Sequence, residues 1–350
     1  MKSFSDAYLN NIHITPTILN TVSRLSEYKG KEELYAKQSP DTLVRLVEQA
    51  KVESSESSNR IEGIDVDHNR VKALVVKNSK PRNRSEQEVA GYRDALEKIH
   101  TMYEGMPVSV DNILLFHEML YKYTEAPGGS FKRTDNVIID RMKDGTVRTR
   151  FTPVSAELTY DAMKQLISNF NYMTAQSHYS PLLLIALFIL DFLCIHPFSD
   201  GNGRVARLLT LLLLYRAGYH VGKYISLERI IEQSKETYYE SLEASSKDWH
   251  EGLHNSRPWQ GYFFGMLLAA YKEFEERVGI IRKRPGNKRT QLIHAIRENN
   301  GKFSISDLEF LCPNISRDMI RKVLRELRDQ GLIQSDGMGR GAKWYKKGVI

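Results

Sequence analysis

The sequence predicts a mainly α protein, interrupted once by a β-hairpin and closed by a small basic domain of three helices and two strands. Three observations predict it. Apolar residues recur at helical spacing through most of the first 280 residues. One stretch of β-branched residues flanks an Asp-Gly pair, and the basic Pro-Gly segment 282–288 (RKRPGNK) sets off the C-terminal tail as a separate domain. With 350 residues, 41% apolar and 27% charged, the chain can bury cores in about two or three domains. No Pro, Ser or Gln tract dominates, which excludes disordered and collagen-like classes.

The elements run in order along the chain. Residues 39–53 put Leu43, Val44, Leu46 and Val47 at helical spacing behind Pro40, a residue suited to a first helical turn. Ser85 and Glu88 have capping-box spacing ahead of a helix over 86–104, and Ser109, Asn112 and the run from Leu114 to Leu120 begin another. Thr134–Ile139 and Val147–Thr152 flank Asp144-Gly145, a strong hairpin signal. An isolated hairpin needs a helix to pack on, and its open edge leaves two readings of 134–152, a docking site for an extended peptide or a structural flap with no partner. Pro181 opens a helix to about Cys194, and Gly203 opens one that ends near Gly218. Helices near 289–299, 304–311 and 316–330, then Leu332–Lys346 as two strands around glycines, give a tail that resembles a winged helix-turn-helix. The expected division is an N-terminal helical region over 1–105, a core over 106–280, a linker over 281–288 and the tail over 289–350.

The net charge of +7 is unevenly placed: residues 281–350 hold 16 Lys and Arg against 7 Asp and Glu, so the basic character belongs to the tail. That balance suggests an anionic partner such as DNA, or a protein contact, through 289–350. Cys194 and Cys312 lie far apart without metal-ligand spacing, which argues against a disulfide framework or a structural zinc site. The opening segment lacks a signal-peptide core, and Leu182–Ile195 is too short, and too charged at Asp191, to span a bilayer. A cytoplasmic protein with no membrane partner is expected.

The stretch from His196 to Arg207 (HPFSDGNGRVAR) carries the chemistry. A helix ends, small polar residues come next, and the following helix begins with free N–H groups facing the loop. Gly201 and Gly203 lack Cβ atoms and let an anion approach the main chain. Arg204 and Arg207 share a face of the first turns, where cations oppose the helix dipole unless an anion relieves them. Guanidinium groups suit phosphate oxygens, so a polyphosphate is the economical ligand. Asp200, the loop's carboxylate, suffices for Mg²⁺ that completes its shell with phosphates and water. His196 is placed to take a proton from an incoming hydroxyl.

This stretch resembles the Fic family motif, HPFx[D/E]GNGRxxR, at every defining position. The resemblance implies a helical core with a β-hairpin flap, and an enzyme that moves AMP from ATP to a Ser, Thr or Tyr hydroxyl of a target protein. It implies His196 as general base, Asp200 as Mg²⁺ ligand, and Gly201, Asn202 and Gly203 as binders of phosphate oxygens. Arg204 would contact the phosphates and Arg207 the γ-phosphate. The related Doc branch has lysine in place of the second motif glycine and transfers phosphate, so Gly203 favours adenylylation. Tyr238 and Tyr239 resemble the aromatic pair of the adenosine pocket, but Ser246 stands where some relatives have asparagine. Lys132 and Arg133, ahead of the flap, are expected to steer phosphates or to be solvated. Relatives often form homodimers.

Ser58-Asn59-Arg60-Ile61-Glu62-Gly63, in a helix at about 55–63, is similar to the inhibitory [S/T]xxxE[G/N] segment of some Fic proteins. Glu62 would pair with Arg207 in the seat of the γ-phosphate, misaligning or excluding ATP. Two alternatives stand beside adenylylation: Glu62 positioning a water that removes AMP from a modified target, and a DNA-binding regulator whose core acts as sensor. For the latter, Arg317, Arg321, Lys322, Arg325 and Arg328 on the third tail helix, with Lys343, Lys346 and Lys347, would form the basic surface.

Overall fold

A computed structural model describes residues 2–38, 40–141, 146–282, 288–299, 301–312, 315–337 and 342–347. Asp144-Gly145, the Pro-Gly of the expected linker and part of the glycine-rich turn in the tail lie outside the described residues. The chain is mainly helical and divides into two compact units. One comprises Met1–Gln38 with Leu46–Phe274, the other Ser39–Arg45 with Glu275–Ile350.

The larger unit is built around two helices that are buried on all sides, α8 (Pro181–Ile195) and α9 (Asn202–Arg216). α8 is apolar around nearly its whole circumference, which is what a helix at the centre of a helical domain requires, whereas α9 also buries Asn202, Arg204, Arg207 and Thr210. Their partners include α5 (Arg84–Met102), α6 (Val110–Tyr121), α7 (Ala156–Gln176) and α11 (Lys235–Ser246). Ser109 caps α6 by accepting from the Asn112 N–H, as expected. The start of α5 differs: Asn83 is the cap and accepts from the Glu86 N–H, so Ser85 and Glu88 form no capping box. An Asn cap is as favourable as Ser, and Glu88 is drawn instead to an arginine more than a hundred residues away.

The helix expected over 39–53 and the one at about 55–63 are a single element, α3 (Pro40–Ile61). It ends in a Schellman motif: Gly63 N–H donates to Arg60 O and Ile64 N–H to Asn59 O. Gly63 has φ of +83°, the left-handed conformation that this ending demands. Glu62 is thereby fixed as the last residue of the turn.

The hairpin consists of β1 (Ile138–Arg141) and β2 (Val147–Phe151), antiparallel, with Ile139 opposite Thr149 and a register shift between Ile138 and Ile139. The strand begins four residues later than expected at Thr134, because Asp135 and Asn136 are used elsewhere. Asp135 accepts from the Ala156 N–H at the start of α7, and Asn136 bonds to Phe198 O. The hairpin finds its support on α11 and beyond: Phe151 stacks on His250 at 5.4 Å, and Arg148 pairs with Glu243 at 2.6 Å.

The smaller unit has α13 (Lys288–Glu298), α14 (Ile305–Leu311) and α15 (Arg317–Asp329), with a three-stranded antiparallel sheet in the order β3 (Phe303–Ser304), β5 (Lys343–Lys346), β4 (Ile333–Asp336). Gly331 ends α15 in a second left-handed cap, and Ile320, Val323, Leu324 and Leu327 pack on Phe303, Ile333 and Trp344. The short β3 was not anticipated. On α15, Arg317, Arg321 and Arg328 are each paired with an acidic side chain, Glu309, Asp318 and Asp329.

Candidate active site

The centre of the site is where α8 ends. His196 is its C-cap and adopts a left-handed backbone, φ 51° and ψ 61°, that non-glycine residues rarely hold without support. Its Nδ1 lies 3.2 Å from Leu193 O, an atom that can only accept, so Nδ1 carries the proton and Nε2 keeps a free lone pair. Burial pushes the imidazole down to about 4; the Leu193 carbonyl and Glu62 oppose that shift, while Lys132 and Arg150 reinforce it. The ring is therefore a neutral base at ordinary pH.

The loop after His196 is held from within. Asn202 accepts from the Phe198 N–H at 2.9 Å and donates to Phe198 O at 2.7 Å, so its side chain locks the loop and only its main chain is left for an anion. Phe198 is fully buried and stacks on His117 at 3.9 Å. His117 Nδ1 accepts from Gly129 N–H, which puts its proton on Nε2, donating to Asp200 O at 3.2 Å. The Asp200 carboxylate accepts from Tyr121 Oη at 2.8 Å and from Gly201 N–H at 2.7 Å. Partial burial works against its charge, but the Tyr121 hydroxyl, Arg204 and that N–H outweigh it and hold the carboxyl below its usual range. Its side chain is 69% exposed, a single ionised carboxylate at the cradle's rim. Such a donor set suits Mg²⁺ that takes its other ligands from phosphate and water, and among the described residues no cluster of three or more His, Cys, Asp or Glu offers an alternative.

The two motif arginines part company. Arg207 Nε donates to Ser58 Oγ at 2.8 Å, and its Nη2 donates to Ser58 O and Glu62 Oε1, each at 2.8 Å. The Glu62 carboxylate lies directly over Gly203, where an added Cβ would collide with Oε1. It thus occupies the place at the start of α9 where an anion was expected. Arg207 Nη1, buried beside Gly203, has no hydrogen-bond partner among the described residues. Arg204, by contrast, does not face the cleft. It is 1% exposed, ion-paired with Glu88 and donating to Tyr121 Oη at 3.0 Å, so it braces Asp200 from behind rather than reaching for a phosphate. Both positive charges at the head of α9 are relieved by carboxylates of the chain itself.

A cleft of about 720 Å³, its open mouth included, collects His196, Gly203, Arg207 and Glu62 with Tyr238, Tyr239 and Ser246. Tyr238 is buried among Tyr239, Trp259 and Tyr262, while the guanidinium of Arg150, from the hairpin, lies 5.1 Å from the Tyr239 ring centre. Ser246 Oγ donates to Glu243 O. Sequence reasoning missed Glu88, His117, Tyr121 and Arg150. Only Arg150 left a trace, as a basic residue two places from Arg148 in the second strand.

Residues 107–214 match the Fic/DOC family model. Over that segment the chain is similar to Fic/DOC domains; the segment contains α6 to α8, the hairpin and all but the end of α9, and Glu62 lies outside it. Over 139 residues the chain is 30% identical to the protein adenylyltransferase fic-1 of Caenorhabditis elegans, covering 39% of this chain and 25% of that protein. It is 25% identical over 185 residues to the protein adenylyltransferase Fic of Nematostella vectensis, covering 51% and 40%. The chain thus spans less than half the length of these curated relatives. A crystal structure of a Fic family protein from Desulfovibrio desulfuricans superposes with a TM-score of 0.63 at 22% identity, covering 96% of this chain and 97% of that one. No described helix is long and apolar enough to cross a membrane.

Proposed function

We propose that the protein transfers AMP from ATP to a hydroxyl side chain of a target protein, and that Glu62 holds this activity down. The observation that carries the reading is the Glu62 carboxylate seated on Gly203 and bonded to Arg207, in the anion hole at the head of α9. The names of the adenylyltransferase relatives supply the reaction class.

The triphosphate would lie along the main chain at Gly201–Gly203, with its terminal phosphate taking the place of Glu62 on Arg207. The target's hydroxyl oxygen attacks the α-phosphorus, the bond to the bridging oxygen breaks, and pyrophosphate leaves. His196 Nε2 accepts the hydroxyl proton, for which its neutral state and free lone pair suit it. Mg²⁺ bound to Asp200 would supply charge neutralisation on the leaving pyrophosphate. The adenosine would pass between the hairpin and Tyr238–Tyr239. Ile139 and Val147 of the hairpin are 42% and 59% exposed, as is Val137 just ahead of it at 55%, which suits an extended target segment docking there.

Labelled ATP tests this directly. Wild type is expected to label weakly, Glu62→Gly strongly and the double variant Glu62→Gly, His196→Ala not at all. Equal labelling by all three overturns the reading.

A further inference from the structure

Lys132 stands just ahead of the hairpin, yet its side chain turns inward rather than into solvent. It is 4% exposed, while its neighbour Arg133 is exposed. Its ammonium donates to Asn136 Oδ1 at 2.8 Å and to Ile195 O at 3.2 Å, both uncharged acceptors. Burial depresses its pKa to about 8, with Asp135 opposing. An ammonium buried against neutral acceptors is expensive, and a methionine would fill the same space without that desolvation. Packing alone does not account for it.

Its contacts converge on one residue. The Lys132 main-chain N–H donates to Pro197 O at 2.8 Å, while its side chain holds Ile195 O, so a single residue grips the carbonyls on both sides of His196. Asn136, bonded to the same ammonium, donates to Phe198 O at 3.1 Å and extends the grip one residue further. Ile195 O belongs to the last turn of α8, where a cation also meets the negative end of the helix dipole. His196 is the one residue within this grip that holds a left-handed backbone, and such conformations persist only where the surroundings over-determine them.

We propose that Lys132 is the positioning residue of His196: it holds the imidazole in its working pose and ties that pose to the root of the hairpin. Asn136 and β1 are separated by a single residue, so the hairpin and the base move as one unit. This rests on His196 acting as base, and the test separates the two ideas.

Lys132→Met is made in the Glu62→Gly background, and nucleotide affinity is measured alongside transfer rate. Affinity for ATP is expected to stay within about 2-fold of Glu62→Gly while kcat falls about 10- to 100-fold, the range that a displaced catalytic group produces. An unchanged kcat, or a parallel loss of affinity and kcat, overturns the positioning role. If Glu62→Gly itself transfers nothing, the transferase reading fails, and the inference is then decided by a crystal structure of Lys132→Met. In either case the Ile195–Phe198 backbone is expected to leave its wild-type path, and an unmoved His196 overturns the inference.

Discussion

Glu62 Oε1 lies 2.8 Å from Arg207 Nη2, although 145 residues separate them in the chain. A carboxylate at the C-terminal end of a helix opposes the dipole, as does a guanidinium near the N-terminal end of another. Bringing the end of α3 to the start of α9 relieves both at once, which makes the pair a self-supplied substitute for a bound anion.

Ser58 grades that substitute. Its hydroxyl and its carbonyl both accept from Arg207, and only the hydroxyl is lost in Ser58→Ala. A hydrogen bond to a charged group contributes about 1.5–3 kcal/mol, part of which is retained through the carbonyl. Ser58→Ala is expected to raise basal AMP transfer several-fold and to remain below Glu62→Gly. Initial rates of labelling with the same target decide it, and a Ser58→Ala rate equal to wild type contradicts the graded clamp.

The pH dependence of transfer follows from His196. Burial favours the uncharged form of a base, so its pKa falls, here to about 4. The base works when neutral, and at pH 6 a group with that pKa is almost wholly neutral, whereas an ordinary histidine near 6.5 is mostly protonated. The Glu62→Gly variant is therefore expected to keep a flat rate from about pH 8 to about pH 5.5 and to decline only below about pH 5. Initial rates across a buffer series test this, and a midpoint near 6.5 contradicts it.

Much of the candidate site's arrangement is legible in the sequence because its parts are local. His196, Asp200, Gly203 and Arg207 lie within one loop and one helical turn or two, where spacing alone fixes which face each residue takes. Glu62 was legible only by resemblance, since nothing in six residues reveals a partner on a distant helix. Spacing puts Arg204 on the anion's face, whereas in the structure Glu88, 116 residues away in sequence, takes its guanidinium, a partner that no local pattern reveals. A lysine in a polar stretch gives no hint of the carbonyl that Lys132 binds, so its sequence suggests only phosphate steering or solvation. The hairpin was visible from its β-branched runs, and its late start was not, because Asp135 and Asn136 are recruited by α7 and by the loop.

Removing Glu88 exposes the cost of the brace beneath the cradle. Its side chain is 5% exposed and Arg204's 1%, so Glu88→Ala would leave a buried guanidinium with only the more distant and exposed Asp200 carboxylate, at 3.5 Å, as counter-charge. Breaking such a pair from one side typically destabilises by about 3–5 kcal/mol. Urea unfolding is expected to show a loss of that order, with Glu88→Gln intermediate because it can still accept from Arg204. A loss under about 1 kcal/mol for Glu88→Ala would mean that Tyr121 and Asp200 suffice to hold the arginine.

Asp191, one turn before His196 on α8, ties the N-terminal segment to the core. Its Oδ1 accepts from Ser3 Oγ and from Trp249 Nε1, each at 2.6 Å, while Oδ2 is buried without a partner among the described residues. Burial raises this carboxyl to about 6, despite the two hydrogen bonds that favour its ionised form. A carboxyl raised in the folded state binds more protons there than in the unfolded chain between about pH 4 and pH 6, so its contribution declines as pH rises through that window. Between pH 5 and pH 8 the wild type should lose on the order of 1 kcal/mol through this group. Asp191→Asn keeps an oxygen for Ser3 and Trp249 but cannot ionise, so its stability relative to wild type should improve by about that amount between the two pH values. Paired denaturant titrations at pH 5 and pH 8 measure the difference directly. Parallel pH dependences for the two proteins would mean that Asp191 remains ionised in the core, held there by Ser3 and Trp249 despite its burial.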